Sequence, residues 1–147
     1  MSDLGAMGDL SVRRARPDDA DDVFGLLLDF ATSYRPEREA FDAAYPVVLE
    51  EADLLVAERG GRVVGYALAH RMLVLYAGGT VTELQELMVD PAHRGHGVGR
   101  ALVAAVVDRA RQAGSREVTV PTRRARDYYA ALGFTETATY LKRPLAG

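Results

Sequence analysis

The chain has 147 residues, which is enough for one domain with a substantial core and too few for two ordinary ones. Its 48% hydrophobic and 27% charged residues are those of a globular protein, and a net charge of −3 gives no general pull toward nucleic acid or anionic membranes, so any anion site must be local. The absence of cysteine excludes disulfides, thiolate metal sites and a cysteine acyl-enzyme.

Residues 1–10 read as a loose leader that carries acids and glycines, without the basic segment and apolar core of a signal peptide. Residues 11–147 then form one domain. No apolar run approaches the ~20 residues needed to span a bilayer, so no membrane partner and a cytoplasmic location are expected. Ser11 to Arg16 predicts a first strand, and Pro17-Asp18-Asp19 is a helix start with acids in the first turn. Val23, Leu26, Leu27 and Phe30 fall at helical spacing within Ala20–Ser33, and Tyr34-Arg35-Pro36 breaks that helix. A second helix covers Glu37 to Glu50, with a kink or boundary expected at Pro46.

Leu54–Glu58 and Val63–Leu75 flank Gly60-Gly61 as a β-hairpin, and Ala77-Gly78-Gly79 turns the chain into a further strand, Val81–Asp90. Val98, Leu102, Ala105, Val106 and Ala113 mark one face of a helix closed by Gly114. Glu117–Val120 is a short strand, Arg124–Leu132 a brief helix ended by Gly133, and Phe134–Pro144 one or two final strands. The order is β-α-α-β-β-β-α-β-α-β: a mixed α/β fold with a mostly antiparallel central sheet flanked by helices.

The most informative stretch joins the strand ending at Val89 to the helix beginning at Val98. Glycines at 95, 97 and 99 let backbone approach a ligand without Cβ interference, and they lie at a helix N-terminus, where free N–H groups and the helix dipole favour an anion. Arg94 and Arg100 flank them with donors suited to phosphate oxygens. The P-loop is excluded because Arg100-Ala101, not Lys-Ser/Thr, follows Gly99. The dinucleotide fingerprint is excluded because counting from Gly95 and Gly97 puts Arg100 where the third glycine belongs.

What remains is R-x-x-G-x-G (Arg94, Gly97, Gly99) preceded by Leu87-x-Val89-x-Pro91. This combination resembles the acetyl-CoA-binding motif of the GNAT N-acetyltransferase superfamily. Ala125-x-x-Tyr128-Tyr129-x-x-x-Gly133-Phe134 is similar to the superfamily's terminal-helix signature, and the element order matches over nearly the whole chain.

The resemblance implies acetyl-CoA as co-substrate and direct transfer to a primary amine of a small molecule or peptide in a ternary complex. It implies main-chain contacts to the cofactor from Leu87, Met88, Val89, Arg94, Gly95, His96, Gly97, Val98, Gly99 and Arg100, with the Val89 N–H polarising the acetyl oxygen. It also implies Tyr129 as the acid beside the departing thiolate, and a homodimer as the usual state. Glu86, or Glu83 three residues earlier, is the candidate base. Strand alternation puts the two on opposite faces, so only one reaches a shared cleft unless a bulge intervenes. Tyr128 reads as a packing aromatic. Arg123, Arg124 and Arg126 form a basic cluster at a helix start that could meet the 3′-phosphate of CoA. His70, His93 and His96 lack metal-ligand spacing, and no metal site is expected. The same motif would also serve a catalytically weak CoA-binding regulatory module.

Overall fold

The computed structural model describes residues 9–30, 35–122 and 125–145. Most of the leader, Ser33, Tyr34, Arg123 and Arg124 lie outside the described residues. The elements are β1 (Leu10–Arg14), α1 (Ala20–Phe30), α2 (Arg38–Glu51), β2 (Asp53–Arg59), β3 (Arg62–Val74), β4 (Gly79–Val89), α3 (Val98–Gln112), β5 (Val118–Thr119) and α4 (Arg126–Ala131). Short 3-10 turns at Pro17–Asp19 and Pro91–His93 lead into α1 and the glycine loop.

The five strands lie in chain order, β1 to β4 antiparallel and β5 parallel to β4. Alternation along β2 and β3 divides the core. Leu55, Ala57, Ala67 and Ala69 pack under Leu102 and Val106 of α3. Leu54, Val56, Tyr66 and Leu68 face the other way, against Val23 and Leu26 of α1 and Tyr45 of α2. The α3 layer is close because β3 carries no side chain at Gly65, where a Cβ would sit 2.8 Å from the Met88 carbonyl oxygen and 3.0 Å from Val98 Cγ1. The glycine thereby sets the start of α3 against the end of β4.

Three local expectations need correcting. The helix containing Pro46 runs unbroken from Arg38 to Glu51. Pro46 and Asp42, whose carbonyl loses its partner, are both solvent-exposed, so water can take the hydrogen bond. The second correction is in β4: Leu68 pairs with Glu86 and Ala69 with Leu84, leaving Gln85 as a bulge. Finally, residues 134–145 form no regular element: Phe134 packs on the α3 core, while Tyr140, Leu141 and Leu145 are exposed. β5 has just two residues to offer as a template, and a strand without a ladder leaves its backbone groups to water.

Candidate active site

The glycine loop has the expected form. Gly95 and Gly97 adopt φ of 80° and 86°, inside the left-handed region that a side chain disfavours, and Gly97 caps α3. The first bond into the helix is Ala101 N–H to the Gly97 carbonyl at 3.0 Å. Among the described residues, no carbonyl accepts from the amides of 95–100, so they remain available to an outside acceptor. Arg94, Gly95, His96, Gly97 and Arg100 are exposed, Gly99 is half-buried, and Val98 is buried and anchors the helix start.

Beneath the loop lies a residue that motif reading passed over. Arg59, on the α3 side of β2, is 7% exposed, and its Nε and Nη1 have no hydrogen-bond partner among the described residues. Its Nη2 donates a long bond, 3.4 Å, to the His96 carbonyl. A guanidinium buried this way lacks the anion it needs. It sits under the backbone amides suited to a diphosphate, so the site fits a doubly anionic group.

The end of β4 supplies the neighbouring slot. β5 pairs with β4 at Thr82 and Glu83 and no further, so among the described residues Glu86–Val89 has β3 on one edge and no strand on the other. Asp90 N–H donates to the Val64 carbonyl at 2.9 Å. By the alternation of an antiparallel ladder, the amides of Val89 and Leu87 then point away from β3, into the open edge. The Leu87 and Val89 side chains pack toward α3, and Met88 is buried on the α1–α2 side.

The two tyrosines of α4 occupy different places. Tyr129 is buried among the α3 core residues, edge-on to Phe134, and its hydroxyl makes no hydrogen bond among the described residues. Burial pushes its pKa up to about 12, so the phenol stays protonated. Tyr128, expected to be a packing aromatic, is 41% exposed, and a Cβ on Gly99 would lie 2.4 Å from its hydroxyl oxygen. Its hydroxyl thus lies over the first turn of α3, at the rim of the loop.

The bulge at Gln85 decides the glutamates. Leu84 and Leu87 both pack under α3, although three apart, so Glu83 and Glu86 both lie on the opposite face. Glu86 reaches a cavity of about 350 Å³ between α1, α2 and the sheet, and accepts a 2.6 Å hydrogen bond from the hydroxyl of Tyr66, itself 1% exposed. Burial, reinforced by the Glu86 charge, drives the Tyr66 pKa far upward, so the phenol remains a donor to the carboxylate. Glu83 instead meets Gln85 and Thr119. Tyr66 was visible in sequence as an apolar strand residue, and its partner could be found once cross-strand register was known.

The remaining candidates are ordinary. His70 is paired in register with Glu83, His93 Nδ1 lies 3.6 Å from Asp90, and no metal-holding cluster occurs among the described residues. Arg126 pairs with Glu136 at 3.2 Å.

A family model described as "Acetyltransferase (GNAT) family" matches residues 20–134. The chain is 29% identical over 133 residues to an aminoalkylphosphonate N-acetyltransferase of Salmonella typhimurium, covering 86% of this chain and 85% of that protein. It is 37% identical over 106 residues to an aminoglycoside N(6')-acetyltransferase type 1 of Stenotrophomonas maltophilia, covering 65% of this chain and 69% of the relative. The fold matches an aminoglycoside N-acetyltransferase solved in complex with CoA, with a TM-score of 0.81 at 23% identity over 93% of this chain and 95% of that one. The chain therefore belongs to the GNAT family of N-acetyltransferases, which take the acetyl group from acetyl-CoA.

Proposed function

We propose that this enzyme transfers the acetyl group directly to a primary amine of a small molecule, both substrates being bound together. One observation carries the reading. The segment Glu86–Val89 turns free amides to an open edge beside the glycine loop, while Glu86 on the same segment reaches the cavity between α1 and α2. Donor and acceptor can therefore meet across a single stretch of strand, without an acyl-enzyme.

Bound acetyl-CoA supplies the thioester whose C–S bond breaks as the N–C bond of the amide forms. The amides of residues 95–100, with Arg59 beneath and Arg94 and Arg100 beside them, hold the diphosphate. The Val89 amide donates to the acetyl oxygen as negative charge develops on it. Glu86, held by Tyr66, attracts the ammonium form of the acceptor and, directly or through one water, takes the proton it must lose. Glu83, turned toward Thr119, is the second candidate base. Tyr129 acts as the acid by hydrogen-bonding the departing thiolate. Full proton transfer from a phenol of pKa about 12 to a thiolate of ordinary pKa ~8.5 is uphill by roughly 5 kcal/mol, so stabilisation by the hydrogen bond is the larger part of its role. Peptide amines are included in the proposed acceptor range, and the proposed setting is a cytoplasmic homodimer.

Release of free thiol from acetyl-CoA with a panel of primary amines tests this. Wild type should turn over, and Tyr129→Phe should lower kcat by about 100-fold with little change in KM for acetyl-CoA. Tyr128→Phe should move that KM more than kcat. Tight CoA binding without thiol release for any amine would favour the regulatory-module reading instead.

A further inference from the structure

The cavity beside Glu86 has a chemistry of its own. Its walls are aliphatic and aromatic: Val23 and Leu27 from α1, Phe41 and Val48 from α2, Leu54 and Leu68 from the sheet. Val23, Leu54 and Leu68 belong to the core between the sheet and these helices, so the cavity reaches into the interior. The ionisable groups lining it are few. Among the described residues, Glu86 and the Tyr66 hydroxyl that bonds it come from the strands, Arg35 and Glu37 come from the exposed segment at the start of α2, and Tyr45 of α2 has its hydroxyl taken up by the Arg16 carbonyl at 2.7 Å.

Resting on the transferase reading above, we propose that the acceptor is a primary amine on a compact apolar body, an arylalkylamine or alkylamine bearing a single positive charge. The amine nitrogen goes to Glu86, the strand-borne charge in the cavity and the group at the reacting strand. The body fills the apolar wall. About 350 Å³ is near the lower end of the range for small-molecule sites, which suits one ring or a short chain and not an oligosaccharide.

The walls argue equally against the acceptors named for the two relatives. An aminoglycoside would bring several hydroxyls and ammonium groups into a cavity whose aliphatic walls cannot bond them, and each buried polar group left unpaired is costly. An aminoalkylphosphonate places a dianion a few bonds from its amine. With the amine at Glu86, that dianion would lie among Leu54, Leu68 and Val48, with Arg35 the single cation lining the cavity among the described residues and that one on the exposed segment. Charge and lining thus select against both classes for the same reason they select for an apolar monoamine.

The test measures thiol release by the full chain with 2-phenylethylamine and hexylamine, against 2-aminoethylphosphonate and kanamycin. The expected result is a kcat/KM at least 100-fold higher for the two apolar amines. Ala44→Trp places a ring in the cavity from an exposed position of α2. It should raise the KM for 2-phenylethylamine at least tenfold and leave CoA affinity by calorimetry unchanged, the latter also reporting an intact fold. Faster turnover of the phosphonate or of kanamycin overturns the substrate class and leaves the acetyltransferase reading standing. If no amine is turned over, binding of 2-phenylethylamine to the CoA-saturated protein decides. Binding lost in Ala44→Trp supports the apolar-amine site while the transfer reading fails, and absence of binding overturns the site.

Discussion

Arg59 is where the free protein is least complete. A cation 93% buried, with two of its three nitrogens unpartnered among the described residues, costs several kcal/mol unless an anion comes close. The one bond it does make, to the His96 carbonyl, braces the loop whose amides face outward. The energetic benefit of Arg59 therefore belongs to the complex, while its cost belongs to the free protein. Arg59→Met keeps the apolar stem and removes the charge, so the free protein should melt at the same temperature or higher. Affinity for CoA should fall at least tenfold by calorimetry. Turnover of S-acetylpantetheine, which lacks the diphosphate, should not change; an equal loss with both donors would assign Arg59 a merely structural role. None of this was legible in the sequence, where Arg59 stands beside Gly60-Gly61 at the turn of a hairpin. The register of β2 and the crossing of α3 above it turn the side chain inward. The glycine loop was legible because its chemistry is main-chain, and glycine spacing is printed directly in the sequence.

At the scale of elements, periodicity located nearly every strand and helix, and the misses share a cause. The helix boundary allowed for at Pro46, the strict alternation along β4 and the terminal strands all rested on local pattern, whereas the outcome depended on what lies alongside. Solvent rescues the helix at Pro46, and β5 is too short to template a strand beside it. In β4 the signal was present: Leu84 and Leu87 are spaced by three, and both need the α3 core, which a strand achieves with one extra residue. That residue, Gln85, brings Glu86 to the acceptor side. Gly65 has the corresponding role between layers. Gly65→Val would press on the Met88 carbonyl, Val98 and Leu102, and α3 must lift away from β3. Overpacking of this kind costs about 1–3 kcal/mol, a fall in Tm of roughly 3–10 °C for a chain of this size. Because Val98 opens α3, the KM for acetyl-CoA should rise as well. Gly25→Ala in α1, with nothing within 4 Å of the added Cβ, should instead leave KM alone and stabilise by about 0.5–1 kcal/mol. Thermal melts with donor-saturation curves on the two variants separate interlayer spacing from a general glycine effect.

The molecule as a whole is tied together by two buried carboxylates that take no part in the proposed chemistry. Asp53, 4% exposed at the start of β2, receives two bonds from Arg71 of β3 at 2.8 and 3.0 Å and a third from Arg109 of α3 at 3.3 Å. Arg14 of β1 lies 3.8 Å away. Asp19 takes both oxygens' worth of bonding from Arg13 of β1, at 2.8 and 3.0 Å, and caps the turn before α1 through the Arg16 amide at 2.7 Å. Burial opposes the charge on Asp53 most strongly, yet Arg71 and Arg109 together outweigh it, and its pKa is lowered. The Arg13 bonds lower that of Asp19 despite burial. Both groups therefore hold a proton less readily folded than unfolded. Their contribution is fully present above the ordinary carboxylate range near ~4 and is lost as pH falls through the lower folded values, because the unfolded chain then takes up protons first. Urea unfolding between pH 2 and 7 should show stability level above about pH 5 and falling steeply below ~4. Asp53→Asn removes one of the two linked protons, so its curve should start about 3 kcal/mol lower at pH 7 and descend less steeply in acid. An unchanged acid slope in that variant would mean that Asp53 binds its proton equally well in the folded and the unfolded chain, so that its charge contributes nothing to the acid loss.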